Sequence, residues 1–302
     1  MLGVFVCVCA SPTASARAWH LDVSFGRHGV AGLPFREEGT DSLYPPGPGS
    51  TGSLLAQGPR QSLFVGGYAN RQPGSFLVAR MSARGTLEPQ FGDGGVVTTP
   101  AIYSTPKHPP RMFAQSGGRL LVIGLDRAHR LTLVRLTARG RPDRTFSHDG
   151  VARYSLPGAN DHAILAGAAV ESDGNILAVY YPREVSQPVN EPQITPGLGA
   201  GPLELVRLLP TGALDRSFGK AGFLTAAGQP PAIGEGSACG VTVAPDGSVL
   251  LAYEQAAVPS SNLTQAPAVQ ELSPTGADAP GFGSAGVAYL PNPASRGGVS
   301  SS

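Results

Sequence analysis

Three histidines and two aspartates of the sequence are the residues best suited to chemistry. They are His108, Asp126, His129, Asp161 and His162. A group of imidazole and carboxylate side chains can coordinate a metal ion or transfer protons. Their spacing contains no His-x-x-x-His or comparable ligand motif, which favours the alternative that they are scattered over the surface. We keep them as candidate ligand-binding residues and predict no metal, no cofactor and no assigned catalytic residue.

Other catalytic signatures are missing from the sequence. It contains no nucleophile elbow, no phosphate-binding glycine loop, no Cys-x-x-Cys pair and no zinc-type cluster. The glycine-rich stretch Gly197–Gly201 has no strand-turn-helix context, so we interpret it as a loop. The candidate residues must therefore be judged by the elements that position them.

A short motif recurs five times along the chain. In each copy a phenylalanine is followed four residues later by a glycine, and the phenylalanines are Phe25, Phe91, Phe146, Phe218 and Phe282. They lie 66, 55, 72 and 64 residues apart, which is typical of propellers and repeat arrays. The 41 glycines and 29 prolines are therefore interpreted as turn residues, because disorder of this composition lacks a period.

Four strand signals recur in each of four full repeats, with no helical periodicity between them. The first strands read SLLAQ, RMFAQ, ILAGAAVES and CGVTVA, and the third read FLVARM, LTLVRL, LELVRL and AVQEL. The fourth strand follows the phenylalanine motif, and its fifth copy at Gly29–Leu33 predicts an extra N-terminal strand. The pattern predicts an all-β β-propeller of four blades, each with four short antiparallel strands. If four repeats do not close a ring, an open arc or an oligomer is the alternative.

The third repeat resembles the delta-60 repeat of bacterial secreted and surface proteins. The matching stretches are Asp173–Leu177, Leu205–Leu208 and Leu214–Gly219. The resemblance covers about residues 20 to 290 and is weakest at Gln57–Arg60 and in the fourth repeat. It implies a β-propeller and a bacterial extracellular setting. It implies no activity, because the family is defined by its repeat.

The first 18 residues differ from the rest of the chain. A short apolar run is followed by small residues that end in Ala16-Arg17-Ala18, a pattern typical of secretory signal cleavage. We expect a signal peptide at residues 1–18, a propeller domain at 19–290 and a disordered tail at 291–302. The mature chain would begin at Trp19 and be secreted or held at the cell surface. An apolar N-terminal strand is the alternative.

Charge and hydropathy exclude several kinds of partner. The chain has 22 Lys and Arg against 21 Asp and Glu, so no overall field attracts nucleic acid or anionic lipid. No stretch reaches the length of a transmembrane helix. Cleavage of the signal peptide would leave Cys239 without an intrachain disulfide partner.

Three long inserts indicate where a ligand would bind. They are Arg36–Gly52, Pro182–Pro202 and Glu254–Pro267, which an up-and-down blade places at the end away from its tight turns. Variable loops on a rigid scaffold commonly carry binding, although inserts without a role are the alternative. We predict a scaffold that binds an unknown protein or a glycan rather than an enzyme. The alternative functions are a hydrolase or lyase with its site in the central mouth, and an assembly module.

A repeated arginine makes the sharpest structural prediction. Arg80, Arg135 and Arg207 each fall on the apolar face of a third strand, and Glu88, Asp143 and Asp215 lie three residues before the repeat phenylalanines. A charge on an apolar face needs a partner, so we expect each arginine to form a charge-assisted hydrogen bond with such a carboxylate, in the same repeat or the next. The fourth repeat has lost both members together, with Glu271 and Ala279 in their places.

Overall fold

The computed structural model describes residues 21–33, 52–69, 75–99, 101–103, 109–158, 163–182, 202–226, 240–255 and 266–289. Their regular structure is sixteen β-strands in four antiparallel sheets, with single 3-10 turns at Pro59–Gln61 and Ser116–Gly118, and no α-helix occurs within these ranges. In each sheet, four strands that are consecutive in sequence lie side by side. The predicted all-β fold class of β-propeller type, with four repeats of four short strands, is confirmed.

The strands follow the predicted repeats. Sheet 1 contains β1 (Gly52–Gln57), β2 (Leu63–Ala69), β3 (Ser75–Met81) and β4 (Val96–Thr99). Sheet 2 contains β5 (Arg111–Gln115), β6 (Arg119–Leu125), β7 (Leu131–Leu136) and β8 (Val151–Tyr154). Sheet 3 contains β9 (Ile164–Val170), β10 (Ile176–Tyr181), β11 (Glu204–Leu208) and β12 (Phe223–Thr225). Sheet 4 contains β13 (Gly240–Val243), β14 (Val249–Gln255), β15 (Ala266–Leu272) and β16 (Val287–Tyr289).

Each sheet has two different edges. The tight turn between its first and second strands and the connection between its third and fourth strands lie at one edge, which we name the corner edge. The connection between its second and third strands lies at the opposite edge, the loop edge. The Asp-Gly turns form as predicted, with Gly174 at φ 89° and Gly247 at φ 85°, a left-handed conformation that glycine adopts without steric cost.

The phenylalanine motif forms the corner between the third and fourth strands. In sheet 3, Phe218 donates its N–H to the Asp215 carbonyl at 3.1 Å, and Gly222 donates to the Phe218 carbonyl at 2.8 Å. Phe91, Phe146 and Phe218 are at most 1% exposed. The repeated motif is therefore a corner whose aromatic ring fills the core.

Successive corners are joined by one repeated hydrogen bond. The residue after each phenylalanine donates its N–H to the carbonyl of the residue seven before the next phenylalanine. The four bonds run from Gly26 to Arg84, Gly92 to Arg139, Ser147 to Thr211 and Gly219 to Thr275, with lengths of 2.7 to 3.0 Å. The rigid spacing inside each repeat thus serves a contact between repeats.

The chain divides into two compact units, each with its own core. The first contains residues 1–127, 133–144 and 149–151, and the second contains residues 128–132, 145–148 and 152–302. In the first, Phe64, Phe76 and Val78 of sheet 1 pack with Leu120 and Val122 of sheet 2. In the second, side chains of sheet 3 pack with side chains of sheet 4, and those that are buried include Leu177, Leu205, Phe218, Leu251 and Tyr253.

All three arginines lie beside their predicted carboxylates, and the predicted hydrogen bond is confirmed for Arg135 and Arg207, whereas Arg80 forms a close ion pair whose Nε makes no hydrogen bond among the described residues. Arg135 donates from Nε to Asp143 Oδ2 at 2.8 Å, and Arg207 donates from Nε to Asp215 Oδ2 at 2.7 Å. Arg80 Nε lies 2.9 Å from Glu88 Oε2. In each pair the two residues belong to the same sheet and its corner.

Arg80 and Arg207 also reach the next corner. Arg80 donates from Nη1 to the Ala138 carbonyl at 2.9 Å, and Arg207 donates from Nη1 to the Pro274 carbonyl. Each of these carbonyls lies eight residues before the next repeat phenylalanine. In both cases a single arginine side chain contacts the carboxylate of its own repeat and a backbone carbonyl of the following repeat.

The fourth sheet departs from this arrangement. Glu271 and Ala279 occupy the positions of the pair, and Gln270 instead donates from Nε2 to Asp278 Oδ1 at 2.9 Å. Glu271 is half-buried, whereas the equivalent arginines of sheets 2 and 3 are 7% exposed.

The extra N-terminal strand predicted at Gly29–Leu33 is wrong. Residues 21–33 form a corner with an isolated bridge between Arg27 and Val30, and no strand is present in this segment. The fourth strands of the full repeats exist because a third strand of the same sheet pairs with them. Among the described residues, this N-terminal segment has no such strand to pair with.

Candidate functional site

The candidate residues predicted from sequence are only partly described by the structure. His108, Asp161 and His162 lie outside the described residues, so their clustering stays a prediction. Asp126 directly follows β6 at the loop edge and is 9% exposed. His129 lies in the β6–β7 connection at the same edge of the sheet.

His129 has an unusual conformation. Its backbone φ of 54° is left-handed, a region that non-glycine residues seldom adopt. Its Nδ1 is buried and has no hydrogen-bond partner among the described residues. Ser147, Ala221 and Ala285 in the corners also have a positive φ, so the backbone of His129 does not by itself mark a functional site. Across the same described ranges, no three His, Cys, Asp or Glu side chains are grouped as a metal site would require.

A carboxylate that the sequence analysis did not select lies at the loop edge of sheet 3. Glu204 begins β11 and is paired across the strands with Tyr180 of β10. The Thr225 hydroxyl is 3.0 Å from both carboxylate oxygens of Glu204. In sequence, Tyr180 is near the end of β10 and Glu204 is at the start of β11, so the predicted insert Pro182–Pro202 lies between the two residues.

The environment of this pair favours its protonated forms. Burial raises the pKa of the Glu204 carboxyl, and the hydrogen bond from Thr225 offsets only part of the effect. Burial, followed by the charge of Glu204, raises the pKa of the Tyr180 hydroxyl well above its usual value. Tyr180 is fully buried and donates its hydroxyl to the Pro157 carbonyl at 3.2 Å. Tyr180 is therefore inaccessible to solvent, whereas the half-buried Glu204 is the one of the two side chains that a ligand could contact.

Comparison of the repeats would have revealed Glu204. Counting three residues back from the repeat arginine gives Leu77 and Thr132 in sheets 1 and 2, and Ala268 in sheet 4. A carboxylate at this one position departs from the repeat without serving the corner. Within the strand LELVRL alone, Glu204 looks like an ordinary polar residue, because polar residues are common at half-exposed strand positions.

The corner edge, in contrast, uses its charged groups internally. Burial raises the pKa of the Asp215 carboxyl, but hydrogen bonds from Ser217 and Arg207 outweigh it and hold that pKa below its usual value. Glu171 lies in the tight turn of sheet 3, and its Oε1 is 3.9 Å from Arg207 Nη1. Burial raises the pKa of the Glu171 carboxyl by more than the charge of Arg207 lowers it. Asp215 and Arg207 are enclosed and hydrogen-bonded to each other, and Glu171 adds a longer charge contact to Arg207 while its Oε1 makes no hydrogen bond among the described residues.

The long inserts lie largely outside the described residues. Arg36–Gly52 precedes β1, and Glu254–Pro267 spans the β14–β15 connection. The strand order places the β10–β11 and β14–β15 connections at the loop edges of their sheets. That the three inserts emerge together at one end stays a prediction. No helix of the described residues is long and apolar enough to cross a bilayer.

Comparisons with known proteins gave structural likeness only. No protein-family model and no curated protein matches the chain. A protein of unknown function from Dyadobacter fermentans is 15% identical with a TM-score of 0.41, over 78% of this chain and 63% of that one. Drosophila Plexin A, solved in complex with Semaphorin 1b, is 16% identical with a TM-score of 0.40, over 74% of this chain and 40% of that one.

A lectin is also among the similar structures. The Aleuria aurantia lectin, solved with α-methyl-L-fucoside, is 9% identical with a TM-score of 0.35, over 72% of this chain and 69% of that one. The chain spans less than two thirds of the length of the first two proteins. At these scores, no property of the three proteins is transferred to this chain.

Proposed function

We propose that the protein is a binding scaffold that presents the loop edges of its sheets to a protein partner or a glycan. The observation that carries the proposal is the contrast between the two edges of sheet 3. At the corner edge, Arg207, Asp215 and Glu171 are enclosed and interact with one another. At the loop edge, Glu204 is half-buried and stands beside the long β10–β11 connection.

The chemistry of Glu204 suits a hydroxyl-rich ligand. Its carboxylate accepts hydrogen bonds and already accepts one from the Thr225 hydroxyl, a group of the same kind as a sugar hydroxyl. Tyr180, its cross-strand neighbour, is buried and donates its hydroxyl to the Pro157 carbonyl, so it presents the apolar part of a fixed ring beside Glu204. A few well-placed polar groups on an apolar floor are typical of ligand sites.

The extracellular setting belongs to the same proposal. We infer that residues 1–18 are a signal peptide and that the chain is a delta-60 repeat protein, on the motifs described above. Mass spectrometry of material secreted by the producing cells should find an N-terminus at Trp19. Recovery of a product that retains residues 1–18 would contradict secretion by this route.

A ligand screen with a matched variant tests the binding function. The variant replaces residues 183–201 by a short Gly-Ser linker, and Arg141→Ala at an exposed corner residue is the control. We expect the unmodified chain and the control to bind a common ligand on a glycan array or in affinity capture from an extracellular extract. The loop variant should keep its fold, by far-UV circular dichroism, and lose that ligand. Equal binding by the folded loop variant would contradict the proposal.

An enzyme is the second candidate, favoured by the raised pKa of Glu204. A carboxyl group that keeps its proton at higher pH is suited to general acid catalysis in a hydrolase or lyase. If the protein is such an enzyme, it should release products from the ligand it binds, and Glu204→Gln should abolish release while retaining binding. A bound ligand that stays intact would favour the scaffold.

A further inference from the structure

The junction between successive corners has a defined donor and a defined acceptor. The donor side is the repeat phenylalanine and the N–H that follows it. The acceptor side is the carbonyl seven residues before the next phenylalanine and the glycine directly after that carbonyl. At the junction into sheet 4, Phe218 lies against Gly276, where an added Cβ would be 3.2 Å from the ring. We name this contact the corner junction.

The acceptor of sheet 1 is filled by residues 21–33, which we name the N-terminal corner. Gly26 donates its N–H to the Arg84 carbonyl at 2.7 Å. The Phe25 ring lies 3.1 Å from the position of a Cβ on Gly85. The N-terminal corner therefore occupies the place that a complete repeat occupies at the other junctions.

The N-terminal corner is held less tightly than the internal corners. Phe25 is half-buried, whereas the internal phenylalanines are at most 1% exposed. Leu21 and Val23 of the same segment are 61% and 71% exposed. Because less apolar surface is removed from water, this junction is the one most readily opened.

The corner of sheet 4, residues 278–287, is a preformed donor for which the described residues provide no acceptor. Phe282 donates to the Ala279 carbonyl and Gly286 donates to the Phe282 carbonyl, both at 3.0 Å, as in the internal corners. Gly283, which corresponds to Gly26, is exposed and donates to no carbonyl among the described residues. Phe282 is half-buried. We name this segment the fourth corner.

The N-terminal corner and the fourth corner share one sequence pattern. Both read Phe-Gly-x-x-Gly-Val-Ala, at residues 25–31 and 282–288, and no internal corner has this sequence. Neither brings the repeat arginine, since Ala14 and Glu271 stand at its position in the sequence. An exchange of one corner for the other on sheet 1 would therefore lose no arginine-mediated bond.

We propose that the fourth corner of one molecule replaces the N-terminal corner on sheet 1 of a second copy of this chain. The contact joins two different surfaces, so it produces head-to-tail association. The N-terminal corner acts as an intramolecular competitor at a high effective concentration, which keeps the chain monomeric when dilute. Weakening it opens the acceptor to the second copy.

Sedimentation velocity of the full chain and three variants tests this exchange. Phe25→Ser weakens only the N-terminal corner, and Phe282→Ser removes the apolar contact of the fourth corner. Measurements run from about 1 to 100 µM, below the millimolar effective concentration of a tethered segment, with a reductant present to exclude disulfides. We expect a roughly twofold or larger rise in average mass for Phe25→Ser, and a monomer for Phe282→Ser and for the double variant.

The outcomes separate the proposal from nonspecific aggregation. A Phe25→Ser chain with native circular dichroism that stays monomeric throughout would overturn the exchange, as would a double variant that associates as strongly as Phe25→Ser. If Phe25→Ser fails to fold, Gly26→Ala repeats the test, because a Cβ at φ 59° strains the same segment and leaves the sheets unchanged. Association of Gly26→Ala that persists when Phe282→Ser is added would equally refute the proposal.

Discussion

Replacement of Arg207 by alanine should be among the most destabilising single changes at the corner edge. The guanidinium donates from Nε to Asp215 Oδ2 at 2.7 Å and from Nη1 to the Pro274 carbonyl, and its Nη2 lies 2.7 Å from the same Asp215 oxygen. It also lies 4.6 Å from the centre of the Phe218 ring. Its loss would leave Asp215, which is 7% exposed, with only the bonds from Ser217 on its other oxygen.

The magnitude follows from the charge that remains buried. Removing one partner of a buried ion pair costs about 3–5 kcal/mol, because the other charge loses its compensation. Arg141→Ala, at an exposed residue of another corner, should change stability by less than about 0.5 kcal/mol. Urea unfolding followed by circular dichroism would measure both changes in the free energy of unfolding.

A double variant distinguishes a pair from a general packing effect. If the cost arises from the unpaired carboxylate, Arg207→Ala combined with Asp215→Ala should be destabilised by less than the sum of the two single changes. A loss for Arg207→Ala no larger than that of Arg141→Ala would refute the reasoning. Strict additivity of the two changes would show that the residues do not act as a pair.

Three further predictions test the gradient of burial, the titration and the corner geometry. Arg80→Ala should cost less than Arg207→Ala, because the carboxylate partner of Arg80 is one-third exposed and stays solvated, and urea unfolding would show the order. The pKa of Asp215 is lower in the folded state than its unfolded value of 3.8. The ionised carboxylate therefore stabilises the fold fully above pH 3.8, and this stabilisation is lost as the pH falls through the lower folded value. Asp215→Asn should reduce the free energy of unfolding most at neutral pH, and the difference from wild type should shrink below about pH 4. Gly212→Ala should lower the free energy of unfolding by about 2–4 kcal/mol, because φ is 88° and the new Cβ would lie 2.8 Å from the buried Phe146 ring. Gly240→Ala is the control, because its new Cβ would lie 3.7 Å from its nearest neighbour, and it should have little effect on the melting temperature.

The sheets were predictable because local signals repeat in register. Alternation and turn residues placed β7 at Leu131–Leu136, as observed, and the other third strands to within two residues. The arginine pairs were predictable because a charge on an apolar strand face requires a partner. The extra N-terminal strand was wrong because a strand signal is sufficient only when a neighbouring strand is present to pair with it.

The loop edge was far less predictable. The sequence shows His129, but its left-handed backbone is set by the connection around it and has no local signature. Glu204 differs from the matching residues of the other repeats in sequence, but its surroundings are not visible there, because strand pairing brings Tyr180 and Thr225 to it from other parts of the repeat. The corners are encoded by residues close together in sequence, whereas the surroundings of Glu204 depend on contacts between residues far apart in sequence.

The most direct test of the account is to map where a bound ligand protects the chain. Hydrogen–deuterium exchange with and without a ligand from the screen would resolve the two edges of sheet 3, because they fall in different peptides. We predict slower exchange in residues 176–206, which contain Tyr180, Glu204 and the connection between them. Protection confined to the corner peptides 171–175 and 209–222, with residues 176–206 unchanged, would contradict the claim that the loop edge is the binding surface.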